Sequence, residues 1–332
     1  MIVTLTANPS IDRTVALPGV LERGGVLRSG GETAQPGGKG VNVSRVLMLA
    51  GARTRAVLPV DAGDPLATAL AATGLDVAAI PRGAPTRTNL TLTEPDGTTT
   101  KINSPGTALA HAVRDRLVDE LVAAAADAQW AVLSGSLPAE APDDWYADVL
   151  AALRSTGARI AVDTSDRPLR GLAARFPAAA PDLIKPNSEE LAQLTGERPD
   201  RFDAAAAAGD PGPVVAATRR LLDRGVGAVL VTLGSAGALL VDPQGAWWGA
   251  APPVRAHSTV GAGDSSLAGY LLADTEGLGP AERLRGAIAY GAAAVSLPGT
   301  TPPAPEAAAA LRDRIPITEL APHAAPLLHD HE

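Results

Sequence analysis

The chain has no cysteine, only two methionines and two phenylalanines, and aromatic residues make up 3 % of its 332 positions. The missing cysteine excludes disulfides, thiolate metal centres and a cysteine nucleophile, and it fits a reducing compartment. With so few aromatics, the core has to be built from alanine, valine and leucine. No apolar run reaches the roughly 18 residues of a membrane-spanning helix. The candidate LVAAAADAQWAVL (121–133) is interrupted by Asp127 and Gln129. The opening MIVTLTANPS has neither the basic segment nor the apolar run of a signal peptide. Polybasic stretches are missing too, and the net charge is −8, from 36 acidic against 28 basic residues. That balance argues against nucleic-acid and membrane surfaces as partners. A soluble, cytoplasmic protein is expected, in which a few local cations and backbone amides hold any anionic ligand.

Hydrophobic residues make up 46 % of the chain, and its length suffices for one large α/β domain or two small ones. Buried strands are predicted at 1–7, 54–60, 130–135, 158–164, 182–186 and 228–233. Helices are predicted between them, at 40–52, 145–157 and 213–225. Strand and helix alternating at this spacing imply parallel βαβ units and a doubly wound sheet flanked by helices. In such sheets ligands sit beyond the carboxyl ends of the strands.

Two segments depart from that pattern. NLTLTEPDGTTTKIN (89–103) alternates apolar and polar residues around a Pro-Asp-Gly turn, as a half-exposed hairpin does. Residues 11–36 alternate in the same way, and together the two predict a small β-sheet projecting from the main domain. The stretch 196–213 reads as a surface insertion. From about Pro302 the tail is rich in proline and alanine with one helical piece, and His329 and His331 read as a solvated end rather than a metal site.

Glycine carries the chemical signals. In PGGKGVNVSRVL (36–47), Gly37, Gly38 and Gly40 let backbone approach a ligand and Lys39 adds a charge. A helix begins there, and its free N–H groups favour an anion. The spacing is neither a Walker A loop nor a dinucleotide fingerprint. In IKPNSEELAQL (184–194), Asn187 and Glu190 fit a capping box, or else sit near a hydrated Mg²⁺. VTLGSAGALL (231–240) places Gly234 and Gly237 after an apolar strand, suited to a nucleotide or to a plain turn. In TVGAGDSSLAGYLLAD (259–274) a helix starts near Asp264, with the amides of Ala262, Gly263 and Asp264 facing out. Such a cluster suits a phosphoryl group in flight, and a carboxylate beside it suits deprotonation of a hydroxyl. An N-cap role explains the aspartate but not the paired glycines.

The order of these stretches is NPSID, GGKGVNVSR, the polar hairpin, SGSLP, KPNSEEL, VTLGSAG and TVGAGDSSLAG. In that order the chain resembles the PfkB (ribokinase-like) carbohydrate kinase family over nearly its whole length, with GGKG and GAGD as the most diagnostic pieces. The single departure is alanine rather than leucine before Asn8. ANPSIDRT, TRTNLTLTEPDGTTTKINSPG and GDSSLAG are similar to the subgroup that phosphorylates fructose 1-phosphate.

The resemblance implies a ribokinase-like fold: a doubly wound, mostly parallel sheet flanked by helices. Residues 1–10, 37–85 and 105–332 would form the α/β core with the ATP and catalytic site. Residues 11–36 and 86–104 would form a β lid over the sugar site. The cofactors would be ATP and Mg²⁺. Asp264 would be the catalytic base, with Gly261, Ala262 and Gly263 as the anion hole. Asp12, Gly38 and Asn42 would bind sugar hydroxyls, with Gly37 in the same loop. Lys39, Arg87, Asn103 and Ser136 would hold the sugar and its resident phosphate, with Lys101 nearby. Lys185, Asn187, Thr232, Gly234 and Gly237 would lie along ATP, and Asn187 and Glu190 would organise Mg²⁺ through water. The exposed lid sheet would pair with a second copy, giving a homodimer. Tagatose 6-phosphate and fructose 6-phosphate are the alternative substrates within the family. Outside it, a non-catalytic sugar-phosphate sensor is disfavoured by the intact Asp264, and a dinucleotide oxidoreductase by the lack of G-x-G-x-x-G after a strand.

Overall fold

Residues 1–320 are described by the computed structural model; His329 and His331 lie outside them. In chain order the strands are β1 (Ile2–Leu5), β2 (Ser10–Ala16), β3 (Gly31–Gly37), β4 (Thr54–Pro59), β5 (Val77–Ile80), β6 (Arg87–Thr93) and β7 (Thr99–Ile102). They continue with β8 (Trp130–Ser134), β9 (Arg159–Asp163), β10 (Leu183–Ile184), β11 (Val229–Thr232), β12 (Ala238–Asp242), β13 (Gly245–Gly249) and β14 (Ile317–Leu320). The helices are α1 (Lys39–Leu49), α2 (Pro65–Ala71), α3 (His111–Ala125), α4 (Trp145–Leu153), α5 (Asp166–Ala174) and α6 (Ser188–Thr195). The remaining five are α7 (Pro199–Ala207), α8 (Gly212–Leu222), α9 (Ala262–Thr275), α10 (Pro280–Val295) and α11 (Pro305–Arg312).

Ten strands form the main sheet in the order β14-β13-β12-β11-β10-β9-β8-β1-β4-β5. From β11 to β5 every pairing is parallel, while β11 to β14 are antiparallel. β1 (IVTL) and β8 (WAVLS) are buried at every position, as strands covered on both faces must be. Alternation along each strand divides the core. Leu183, Leu230 and Leu240 face one side with Leu267 and Leu271 of α9. Ile184, Val229 and Val231 face the other, with Leu191 of α6 and Val214 of α8. All six strands and three helices expected from the sequence are present, with ends trimmed by a few residues.

The small sheet has the order β3-β2-β6-β7. β2 runs antiparallel to β3 and parallel to β6, and β6 and β7 form the expected hairpin. Period-two alternation gives it two unlike faces. Asp12, Thr14, Asn89, Thr91 and Lys101 line a cleft against the main domain. Arg13, Val15, Leu90, Leu92 and Ile102 occupy the alternate positions, on the opposite face.

The stretch 196–213 lies at the surface, as expected, but it is ordered as α7, which buries Phe202 completely among Leu191, Val214 and Leu221. Phe202 is the one large apolar anchor of this helix, and the small Ala206 packs beside it.

Candidate active site

The carboxyl ends of β8 to β11, the junction of β3 with α1, and the start of α9 converge on one cleft of about 1760 Å³ roofed by the small sheet. Four charged residues lie on its floor or directly beneath it. Asp163 ends β9 and is fully buried; Lys39 opens α1 and meets it at 3.0 Å, and Lys185 follows β10 and meets it at 3.3 Å. Burial works to raise the Asp163 pKa, but Lys185 and Lys39 outweigh it and hold the carboxyl below its ordinary value. Burial likewise works to lower the Lys39 pKa, and Asp163, Asp264 and Glu190 together hold it above the usual lysine range. Both groups are therefore charged at neutral pH.

Asp264, the fourth, lies one turn into α9 and is 5 % exposed. It does not cap the helix. The N-cap is Gly261, whose φ of +79° only glycine adopts without strain, and the helix begins at Ala262. The Asp264 carboxylate accepts a hydrogen bond from the Asn42 Nδ2 amide at 2.9 Å. Burial pushes its pKa up, Lys39 opposes the shift and Asp163 adds to it, leaving the value raised. A carboxylate so placed takes a proton more readily than a solvated aspartate.

Helix α9 also offers backbone donors. The Ala262 N–H turns back on the Thr259 carbonyl at a long 3.4 Å, whereas no backbone acceptor meets the N–H groups of Gly261, Gly263 and Asp264 among the described residues. Lys185 stands over the same point, since a Cβ built on Gly263 would lie 3.2 Å from its Nζ. The far end of α9 is fixed by buried Asp274, which accepts from Trp130 Nε1 at 2.8 Å and pairs with Arg159 and Arg283.

On the small-sheet side, the Asp12 carboxylate is oriented by Ser10 Oγ at 2.8 Å and Asn89 Nδ2 at 3.0 Å. Gly37 lies directly behind it, and a Cβ there would collide with that carboxylate. Asn42 lines the cleft, and its Oδ1 is buried without a partner among the described residues. Arg87 spends both terminal nitrogens on carbonyls, of Ser104 at 2.7 Å and Asn8 at 3.0 Å, so part of its work is to tie the roots of the small sheet. Ser136 lines the cleft and accepts from Asn8 Nδ2 at 3.3 Å, while Asn103 and Lys101 line its exposed rim.

Asn187 and Glu190 form a complete capping box at the start of α6: the Glu190 N–H donates to Asn187 Oδ1 at 2.8 Å, and the Asn187 N–H donates to Glu190 Oε2 at 2.9 Å. Burial and Asp163 raise the Glu190 pKa. Both side chains also line the cleft, so the structural and ligand readings of this motif coexist. Thr232 pairs with Asn187 in an isolated parallel bridge and lines it too. Gly234 and Gly237 do not: Gly234 opens a single 3₁₀ turn and Gly237 follows it, packed against the Gly249 carbonyl. Among the described residues, no group of three or more His, Asp or Glu side chains is placed to hold a metal ion. No helix there is long and apolar enough to cross a membrane.

Sequence reasoning missed Asp163. Its one signal is a carboxylate ending the buried run ARIAVD, at the end of a strand where ligands bind in open α/β sheets. Asn89 was missed as well, although the hairpin that carries it was recognised.

An open, mostly parallel sheet with a polar roof, a buried carboxylate and unpaired helix-start amides beneath it has the parts of a sugar-phosphorylating enzyme. Residues 5–307 match the model of the pfkB family carbohydrate kinases, and the chain belongs to that family. It is 36 % identical over 327 residues to a 1-phosphofructokinase of Rhodobacter capsulatus, covering 97 % of this chain and 98 % of the relative. An ATP-dependent 6-phosphofructokinase isozyme 2 of Escherichia coli K12 is 31 % identical over 303 residues, covering 90 % and 94 % of the two chains. The crystal structure of phosphofructokinase-2 from Escherichia coli in complex with substrates and products superposes with a TM-score of 0.81 at 29 % identity, covering 94 % and 98 %.

Proposed function

We propose that this carbohydrate kinase transfers the γ-phosphoryl group of ATP to the 6-hydroxyl of fructose 1-phosphate, giving fructose 1,6-bisphosphate and ADP. The observation that carries the chemistry is Asp264: a buried carboxylate with a raised pKa, beside unpaired amides and two lysines. Asp264 takes the hydroxyl proton as the oxygen attacks phosphorus, and the bond from phosphorus to the bridging oxygen of ADP breaks. Charge on the phosphoryl oxygens is met by the amides of the Gly261, Ala262 and Gly263 turn and by Lys185. Positioning does most of the rest.

Asp12, Gly38 and Asn42, which line the cleft or its floor, hold sugar hydroxyls. Lys39, Arg87, Asn103 and Ser136 hold the sugar and its resident phosphate. ATP runs along Lys185, Asn187 and Thr232 towards the turn at Gly234 and Gly237. The second Glu190 oxygen and Asn187 suit a Mg²⁺ ion that keeps most of its waters, and the ion supplies charge neutralisation of the nucleotide phosphates. The small sheet is a lid that excludes water from the transferring group. Its outer face, with Val15, Leu90, Leu92 and Ile102, buries itself against a second copy.

The substrate reading rests on the relatedness to 1-phosphofructokinase. Its test is kcat/KM with fructose 1-phosphate, fructose 6-phosphate and tagatose 6-phosphate in parallel. A preference of about a hundredfold for the first is expected from a site that pairs buried polar groups with one phosphate position. A flat profile, or a preference for a 6-phosphate, overturns the substrate and leaves the chemistry standing.

A further inference from the structure

Gln35 lies on β3 two residues before Gly37, half-buried, and its side chain leaves the small sheet altogether. It reaches the turn that follows α10. Gln35 Oε1 accepts from both the N–H and the hydroxyl of Thr300, each at 3.0 Å. Gln35 Nε2 donates to Thr301 Oγ1, also at 3.0 Å. Both ends of one amide are thus committed to a turn 265 residues away.

That turn touches the catalytic loop. A Cβ placed on Gly261 would lie 3.7 Å from Thr300 Cα, so Thr300 is the surface on which the start of α9 rests. Arg45 of α1, 7 % exposed, braces the same place by donating from one nitrogen to the carbonyls of Pro36 and Thr300, each at 3.2 Å. A contiguous path of contacts therefore runs from β3 through Gln35 and Thr300 to Gly261. β3 pairs with β2 in the register Asp12 opposite Gln35, so the strand that carries Asp12 is indexed by the same amide.

We propose that Gln35 is a positioning residue of the phosphoryl transfer, which rests on the reading given under Proposed function. From its place on β3 at the cleft wall it fixes, through Thr300, the spacing between the sheet that holds the sugar and the loop that holds the transferring group. An alternative is that Gln35 only tethers the turn and contributes stability. The two differ in what its loss does to the fate of the phosphoryl group. A tether lost lowers the amount of folded enzyme and nothing else. A spacing lost lets water compete with the sugar hydroxyl, so that ATP is consumed to ADP and inorganic phosphate without sugar product.

The experiment compares the full-length parent with Gln35→Leu, Thr300→Val and the pair, at saturating sugar phosphate and Mg-ATP. It measures kcat, both KM values, the ratio of ATP consumed to sugar phosphorylated, and hydrogen exchange across 257–266. Gln35→Leu should lower kcat about tenfold, with KM for ATP within about twofold. It should also raise the consumption ratio above one and speed exchange in 257–266. Thr300→Val should have a smaller effect in the same direction, and the pair should be no worse than Gln35→Leu alone. An unchanged kcat, or a ratio held at one while activity and melting temperature fall together, overturns the proposal. If the parent prefers another sugar phosphate, the substrate reading fails alone and the comparison is made with that sugar. If the parent phosphorylates none, the reading on which the proposal rests fails and the proposal is overturned with it; accelerated exchange in 257–266 then reports only a tether.

Discussion

Asn42 donates its side-chain amide to the Asp264 carboxylate at 2.9 Å, across 222 residues of chain. The contact joins the first turn of α1 to the first turn of α9, so the two glycine-rich stretches of the sequence are halves of one site.

Asp264→Asn separates the chemistry from the fold. Activity should fall by about a hundred- to ten-thousandfold, the usual contribution of a general base. Its raised pKa means that the fold favours the protonated acid. Its contribution to stability is therefore full below the ordinary aspartate value and is lost as pH rises through the folded value. At pH 7.5 the buried carboxylate is a cost, and asparagine, which keeps the acceptor for Asn42, should melt at the same temperature or higher. In the parent, the acid limb of the kcat profile should sit above the ordinary aspartate range. Near-parental turnover in the variant would remove Asp264 as the base.

Asp163→Asn should act in the opposite direction on stability. Breaking a buried pair by removing one partner costs about 3–5 kcal/mol, and here two lysines lose their counterion. Because the Asp163 pKa is depressed, its stabilisation is present above the ordinary aspartate value and lost as pH falls through the folded one. Urea denaturation should therefore show a large gap between parent and variant at pH 7 that narrows on acidification. A gap independent of pH would deny the ion pairs this role.

Gly37→Ala is a probe of sugar binding alone. The added methyl would run into the Asp12 carboxylate, which Ser10 and Asn89 hold in place. KM for the sugar phosphate should rise about tenfold or more while KM for ATP stays within about twofold. Equal changes in both constants would point to disruption of the whole cleft.

The outer face of the small sheet predicts the oligomeric state. Leu90 and Leu92 alternate with cleft-facing Asn89 and Thr91 on β6, and Leu90 sits opposite Ile102 in register. Light scattering should give a dimer for the parent and a monomer for Leu90→Lys with Leu92→Lys, the melting temperature of the isolated chain being little affected. A parent that is monomeric at micromolar concentration would leave that face without its proposed partner.

The alternation of buried strands and amphipathic helices was legible because each parallel strand reads as a continuous apolar run. The antiparallel edge β12 to β14 was less so: the pair Trp247 and Trp248 stands alone in a chain poor in aromatics, and nothing nearby says which strand it joins. In the site, glycine announced GGKG and GAGD, since close approach and left-handed backbone leave a mark on residue type. Asp163 left none. A single aspartate at a strand end gains meaning only from Lys39 and Lys185, brought to it by the fold. The same holds for Gln35, whose partners at Thr300 and Thr301 come from the other end of the chain. Phe202 is legible as the one large apolar residue just ahead of the alanine run 204–208.

The parallel pairing of β2 with β6 has a consequence for how the molecule assembles. These two strands form the middle of the small sheet, yet β1 precedes one and the entire β3-α1-β4-α2-β5 segment separates it from the other. No local hairpin joins them. They are brought side by side only after the neighbouring strands β1, β4 and β5 have aligned in the main sheet, because that alignment sets where each excursion leaves the core. Closing so long a loop early in folding gains little to offset its entropy. The small sheet should accordingly be the last layer to form and the first to dissolve, and a fragment containing only its four strands should not fold.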